Sequence, residues 1–286
     1  MKKQKGFSVV ELIIILLVVG ALGGIGWYVF SKRDKKEAAK TETTSQASGT
    51  EVEETAASRK EDGAPWSTSP QGPYHDKVSY ATSADLLNWT DSGKILVEHA
   101  SVPDIMQKGS DIYMYFVDTT TDGLPEQLGM MKSSDQGKTW SERKLIAIKG
   151  KNVAGIVPVD PDPFLLPDGR IRLYYFDIAG HKNVSGKAKN KIYSAVSSDG
   201  INFSQEDGVR FEYEAIFDPD VIKVGDTWRM YVGQPEGQNV ISATSTDGLT
   251  FTKEGVAYQG SSVPSAYYEA GKYYLYIAGI QIATSA

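Results

Sequence analysis

Ser133-Ser134-Asp135-Gln136-Gly137-Lys138-Thr139-Trp140 is one copy of a phrase that recurs along the chain. Ser197-Ser198-Asp199-Gly200-Ile201-Asn202-Phe203 and Ser245-Thr246-Asp247-Gly248-Leu249-Thr250-Phe251 are two more copies, each one residue shorter and ending in Phe. Ser83-Ala84-Asp85-Leu86-Leu87-Asn88-Trp89 is a fourth, with Leu where Gly is expected. The copies lie roughly 50 to 60 residues apart, a period that signals a propeller or solenoid.

Between the copies the chain reads as short strands and turns. Ile112–Phe116, Ile171–Phe176, Thr227–Val232 and Lys272–Ile277 are versions of one strand, rich in the aromatic and β-branched residues that strands favour. Each follows a tight turn containing Gly109, Gly169, Gly225 or Gly271. Each hairpin opens on a proline phrase: Val102-Pro103-Asp104-Ile105, Asp160-Pro161-Asp162-Pro163, Asp218-Pro219-Asp220-Val221 and Val263-Pro264-Ser265-Ala266. A third strand then runs into the Ser/Asp/Gly turn and a fourth leaves it, which makes a four-stranded propeller blade.

The recurring turn resembles the Asp-box of sialidases, and the whole unit resembles the five-bladed propellers of arabinanase and invertase-type glycosidases. The likeness covers about Val78 to Ala286. In the Asp-box, Asp85, Asp135, Asp199 and Asp247 are expected to be structural, holding turn amides while Gly relaxes the backbone and the aromatic pins the turn. The opening phrases instead place Asp104, Asp162 and Asp220 at equivalent positions of three successive blades, with Asp160 and Asp218 beside two of them. Glycoside hydrolysis needs carboxyls on either side of the sugar. The glycosidase resemblance implies acids from separate blades as base, orienter and acid, the last usually a Glu. Ser265 stands where a fourth acid would fall, so Glu214 and Glu236 are the remaining Glu candidates, and Glu236 joins Asp104, Asp162 and Asp220 in the candidate catalytic set. The alternative is that the opening aspartates satisfy loop amides beside the fixed prolines. Tyr174, Tyr175, Trp228, Tyr231, Tyr267 and Tyr268 are candidates for stacking on sugar rings or for the core. No dedicated metal site or cofactor is expected, although clustered aspartates would suit a funnel cation such as Ca²⁺.

The first thirty residues carry an address. Phe7 to Phe30 is a nearly unbroken apolar run, long enough to span a bilayer and interrupted only by Glu11. Lys5-Gly6-Phe7-Ser8-Val9-Val10-Glu11-Leu12 resembles the type IV prepilin signal. The resemblance implies cleavage after Gly6 by a prepilin peptidase, methylation of Phe7 and pairing of Glu11 with the terminal amine of a neighbouring pilin-like subunit. Residues 1–6 are then a leader, 7–30 a transmembrane helix and 31–74 a disordered polar linker, followed by a propeller over 75–286. Such a protein would sit in the bacterial cytoplasmic membrane as a single-pass chain, its propeller outside the cytoplasm. The expected partners are the peptidase, the bilayer, pilin-like subunits and a glycan.

Composition narrows the remaining classes. The formal charge of -6 argues against a nucleic-acid surface. Zero cysteines exclude disulfides and thiolate chemistry, and His75, His99 and His181 are too few for a His-rich metal site. Function therefore divides between a glycan-binding or glycan-hydrolysing surface protein and a non-catalytic minor pilin or adhesin. Ile282-Ala283-Thr284-Ser285-Ala286 matches Tyr80-Ala81-Thr82-Ser83-Ala84. Five third strands thus face four opening hairpins. Either the N-terminal strand completes the last blade, giving four blades, or the ring is five-bladed and incomplete at its C-terminal side; the second is the expectation, because an open ring exposes strand edges.

Overall fold

The computed structural model describes residues 74–120, 126–150, 157–177, 189–234, 238–278 and 281–285. The expected leader, membrane span and most of the linker, as well as Glu236, lie outside the described residues. No helix among the described residues is long and apolar enough to cross a membrane.

The chain is an all-β propeller whose strands group into five sheets. β1 (Lys77–Ser83) and β2 (Trp89–Glu98) form a two-stranded sheet. β3 (Ala100–Lys108), β4 (Asp111–Asp118), β5 (Gln127–Ser133) and β6 (Lys144–Leu145) follow as an antiparallel meander. β7 (Ala147–Lys149) crosses to the next sheet, which contains β8 (Pro158–Leu165), β9 (Ile171–Asp177) and β10 (Lys189–Ser197). Its fourth strand is split into β11 (Asn202–Gln205) and β12 (Phe211–Glu214), which pair with opposite ends of β10, and β7 adds parallel to β11. β13 (Phe217–Val224), β14 (Thr227–Gln234), β15 (Asn239–Ser245) and β16 (Thr252–Gln259) make the next meander. β17 (Ser265–Glu269), β18 (Lys272–Ile277) and β19 (Gln281–Ser285) make the last sheet. β19 pairs with β18, and β1 and β2 keep to their own sheet, so the N-terminal strand does not complete the last blade.

The first strands are neighbours in space: β3 lies beside β8, β8 beside β13 and β13 beside β17. They form the inner wall around the axis. The cores lie between adjacent sheets, because each sheet buries both faces. Tyr115, Leu173, Tyr175 and Phe203 fill the space between the second and third sheets, and Tyr174, Trp228, Met230 and Phe251 the space between the third and fourth. Val97, Met114 and Phe116 join the β1–β2 sheet to its neighbour.

A tyrosine repeats in register on the second strand of each hairpin. Tyr115, Tyr174, Tyr231 and Tyr276 stand opposite Asp104, Asp162, Asp220 and Ser265 respectively. Three of these hydroxyls reach the turn phrase of the following sheet: Tyr115 donates to the Gly200 carbonyl at 3.0 Å, Tyr174 to Gly248 at 2.8 Å and Tyr276 to Leu86 at 2.9 Å. The last contact sets the β1–β2 sheet next after β17–β19, and Trp89 packs edge-on against Tyr276 there. A buried hydroxyl–carbonyl bond contributes about 1 kcal/mol and leaves the carbonyl costly to orphan.

Candidate functional site

The two ends of the blades carry different aspartates. At the turn end, the Ser hydroxyl of each phrase accepts the amide two to four residues on: Leu86 at 2.8 Å, Gly137 at 2.8 Å, Gly200 at 2.9 Å and Gly248 at 3.0 Å. The Asp carboxylate then accepts the amides that close the loop: Asn88 to Asp85, Thr139 to Asp135, Asn202 to Asp199 and Thr250 to Asp247. These bonds favour the ionised form. The Thr139 hydroxyl and amide hold Asp135 down at about 2, and Asn202 holds Asp199 well below the usual carboxylate range. The residue that donates its amide to the Ser hydroxyl takes a left-handed backbone. Gly200 and Gly248 have φ of 81° and 71°, and Leu86 adopts φ 64° in the copy that lacks glycine.

The opening phrases lie at the other end, where the inner strands begin. In all four, the residue before proline is left-handed: Val102 at φ 40°, Asp160 at 53°, Asp218 at 46° and Val263 at 58°. Pairing slips there, between Ser101 and Asp104, Val159 and Asp162, and Phe217 and Asp220. A bulge re-aims the side chain that follows it, and strained non-glycine residues persist only where surrounding structure enforces them. Each bulge turns one aspartate inward.

Asp104, Asp162 and Asp220 converge, one carboxylate oxygen of each lying within 4.8 Å of those of the other two. Asp162 and Asp220 are buried, at 4% and 5% exposure. Each faces donors of the next blade that partly offset the rise in its pKa: the Val221 N–H beside Asp162, and the Ala266 N–H and Ser265 hydroxyl beside Asp220. The equivalent donor for Asp104 would be residue 163, which is a proline with no N–H. Asp104 turns instead to its own neighbour Ile105, whose amide lies 2.5 Å away, and to the Asp162 carboxyl. Burial pushes Asp104 up to about 6, and burial plus the neighbouring carboxyls push Asp162 and Asp220 well above the ordinary value. The Asp162 and Asp104 carboxyls share a hydrogen bond, which raises Asp162 and lowers Asp104.

A second acidic group surrounds the first at the same end. The Asp218 amide lies 3.4 Å from Asp160 Oδ2. Burial raises Asp218 to about 6, and burial with the Asp218 and Glu126 charges raises Asp160 well above its usual range. Glu126, just before β5, is pushed up to about 7 by burial. It falls in no repeated phrase; its signal was only a Glu placed between a second and a third strand, where a loop returns to the mouth.

Glu214 ends β12 on an outer strand and is exposed, away from the three converging aspartates. The proposed sugar-stacking aromatics divide. Tyr174 and Tyr175 are fully buried, and Trp228 and Tyr231 nearly so at 5% and 8%, because all four fill the space between blades. Only Tyr267 and Tyr268 on β17 keep exposed surface.

A scan against protein-family models found no match, and no curated protein matches the chain. Solved structures do. A family 43 β-xylosidase/α-arabinofuranosidase from a compost microbial metagenome, solved with xylotriose in a calcium-free form, is similar at TM-score 0.55 and 18% identity, covering 73% of this chain and 79% of that one. The family 43 enzyme from Xanthomonas citri with xylotriose gives TM-score 0.55 at 16% identity over 73% and 77%. An exo-1,5-α-L-arabinanase from a bovine ruminal metagenomic library gives 0.50 at 15% over 74% and 86%. At such identities the likeness shows the propeller fold.

Proposed function

We propose that the protein binds glycans at the mouth of a five-bladed propeller in which β1–β2 is the outer half of the fifth blade, and that a prepilin-type N-terminus tethers it to the bacterial cytoplasmic membrane with the propeller outside. The observation that carries the glycan reading is the set of three inner-strand aspartates, each turned to the axis by a left-handed bulge. Carboxylates and their partners at a concave mouth, with Tyr267 and Tyr268 alongside on β17, suit the hydroxyls and apolar faces of sugars. The fold likeness supports pentose-containing glycans as the first ligands to test, since two of the similar structures hold xylotriose.

Hydrolysis is the second reading, favoured by neighbouring carboxyls from separate blades that burial holds above the ordinary carboxylate range.

Calorimetry of the full chain in detergent against xylo- and arabino-oligosaccharides should show saturable binding that falls at least tenfold in Asp220→Asn. Binding unaffected by Asp220→Asn would place the ligand elsewhere, and no binding across a wider glycan array would remove the reading. Release of nitrophenol from aryl glycosides, abolished in the triple Asp104→Asn, Asp162→Asn, Asp220→Asn variant, would establish hydrolysis. For the tether, the mature N-terminus by mass spectrometry should be a methylated Phe7; a start at any other residue refutes the prepilin reading.

A further inference from the structure

We infer that the axis-side edge of β1 binds a β-hairpin of a partner polypeptide, which supplies the inner half of the blade whose outer half is β1–β2. The inference rests on that placement of β1–β2. In the other sheets the third strand is hydrogen-bonded on its axis side to a second strand: β5 to β4, β10 to β9, β15 to β14 and β19 to β18. β1 reads as a third strand, yet among the described residues it pairs with β2 alone. Such an edge offers a row of backbone donors and acceptors to an incoming strand. Three groups set around it differ from their counterparts in the same way. Tyr115, Tyr174 and Tyr276 reach the turn phrase of the following sheet, but β1–β2 has no second strand to send a tyrosine to Ser133–Trp140. The Val221 and Ala266 amides stand beside an acid of the preceding blade, whereas Ile105, at the same place in β3, bonds to its own Asp104 at 2.5 Å. Phe164 on β8 packs at 4.4 Å against Trp228, on the second strand of the next hairpin. Tyr267 holds the same register on β17 and is half-buried, but the sheet that follows it, β1–β2, has no opening hairpin.

These places specify the occupant. Its second strand runs antiparallel to β1 and carries a tyrosine whose hydroxyl donates to a carbonyl of the Ser133–Trp140 turn. Its first strand opens on a proline phrase that brings a carboxyl to the Ile105 amide. Both of its faces are apolar, because Tyr267 lies on one side and Ile105 and Phe116 on the other. The four opening hairpins of this chain are paired into their own sheets, so a second copy could supply one only by opening its own ring. Residues 31–73 hold Trp66 as their one aromatic and are too polar for a place covered on both faces. The occupant is therefore a different polypeptide.

The probe is a synthetic peptide of Ala100–Asp118, the chain's own β3–β4 hairpin, titrated into the full chain in detergent with no glycan present. One saturable site per chain is expected, with a scrambled peptide at least tenfold weaker. Tyr115→Phe in the peptide should weaken binding severalfold, and Tyr267→Glu in the protein at least tenfold. Asp226→Asn, in the exposed turn between β13 and β14, should leave binding unchanged. Should Tyr267→Glu fail to fold, hydrogen exchange of the wild-type protein reads the same edge, because β1 amides gain protection when the peptide binds. The inference is overturned by absence of saturable binding, by equal binding of the scrambled peptide, by wild-type affinity in a folded Tyr267→Glu variant, or by β1 amides whose exchange the peptide leaves unaltered. A full chain that is dimeric and takes up no peptide also overturns it, since a second copy then covers the edge. Tyr276→Phe with no peptide should lower the melting temperature, which checks the placement of β1–β2 beside the last sheet by itself. A lowered midpoint together with failed peptide binding removes the hairpin and leaves that placement standing.

Discussion

Aspartates mark both ends of the repeating unit, and the two sets live under opposite electrostatics. At the turn end, Asp85, Asp135, Asp199 and Asp247 are open to solvent and bonded to amides, which depresses their pKa values. At the mouth, half-buried Asp104 and buried Asp162 and Asp220 are pressed together out of bulk water, which raises theirs. The residue type is the same; solvent and donor supply decide the outcome. The first arrangement holds the fold, and the second gathers acidic groups at the mouth.

Three experiments would break or sharpen that contrast. The largest effect is expected at the turn end, where Arg172 supports the Gly248 turn of the next blade. Its guanidinium makes bonds of 2.7 and 2.8 Å to Glu206 and lies between the Tyr174 and Trp228 rings. Arg172→Met should cost about 3–5 kcal/mol, because it leaves Glu206 charged and partly buried without its partner. Urea unfolding measures this, and a loss under 1 kcal/mol would show that the turn end is not stabilised from the neighbouring blade. Next comes Ser197→Ala, which removes the acceptor of the Gly200 amide and should cost about 1 kcal/mol by the same measurement. An unchanged midpoint would make the serine dispensable to the turn.

The smallest effect discriminates best. Asp135 titrates near 2 when folded against an unfolded 3.8, so its contribution is present above about 4 and is lost as pH falls through 2. Asp104 titrates near 6 when folded against the same unfolded value. Its contribution is therefore present below about 4 and is lost as pH rises through 6 in cation-free protein. Melting temperature with chelator present should fall on both sides of mildly acidic pH, and Asp104→Asn should flatten only the alkaline side. If the alkaline fall persists unchanged in Asp104→Asn, it arises from other raised carboxyls such as Asp218 or Glu126 and not from Asp104.

Much of this was legible in the sequence. The turn phrase and the proline phrase recur with little change, so both the fold and the meeting of Asp104, Asp162 and Asp220 could be read from their spacing. The N-terminal strand does not complete the last blade, because β19 and β1, which read almost alike, pair in different sheets. Of the two readings of the aromatics, the core reading holds for Tyr174, Tyr175, Trp228 and Tyr231, for a physical reason. Strand residues alternate between two faces, but both faces of a blade are covered by neighbours, so Tyr174 and Tyr175 are buried although they point opposite ways. Glu126 was missed because it belongs to a connecting segment with no repeat. The tyrosine column opposite the opening residues was legible and overlooked: Tyr115, Tyr174, Tyr231 and Tyr276 occupy one register position.

The bond from Tyr276 to Leu86 has a mechanical consequence. It joins residues 190 positions apart and, with Trp89 against Tyr276, ties the first sheet to the last. β1 continues directly from whatever precedes Tyr74, so a pull on the N-terminal side loads the β1–β2 sheet before any other. That sheet is gripped on one flank by Val78 and Val97 against Met114 and Phe116, and on the other by the Tyr276 clasp. Under tension the clasp side, with one hydrogen bond and one ring contact, should part first, so that Tyr276→Phe would lower the rupture force of the whole ring.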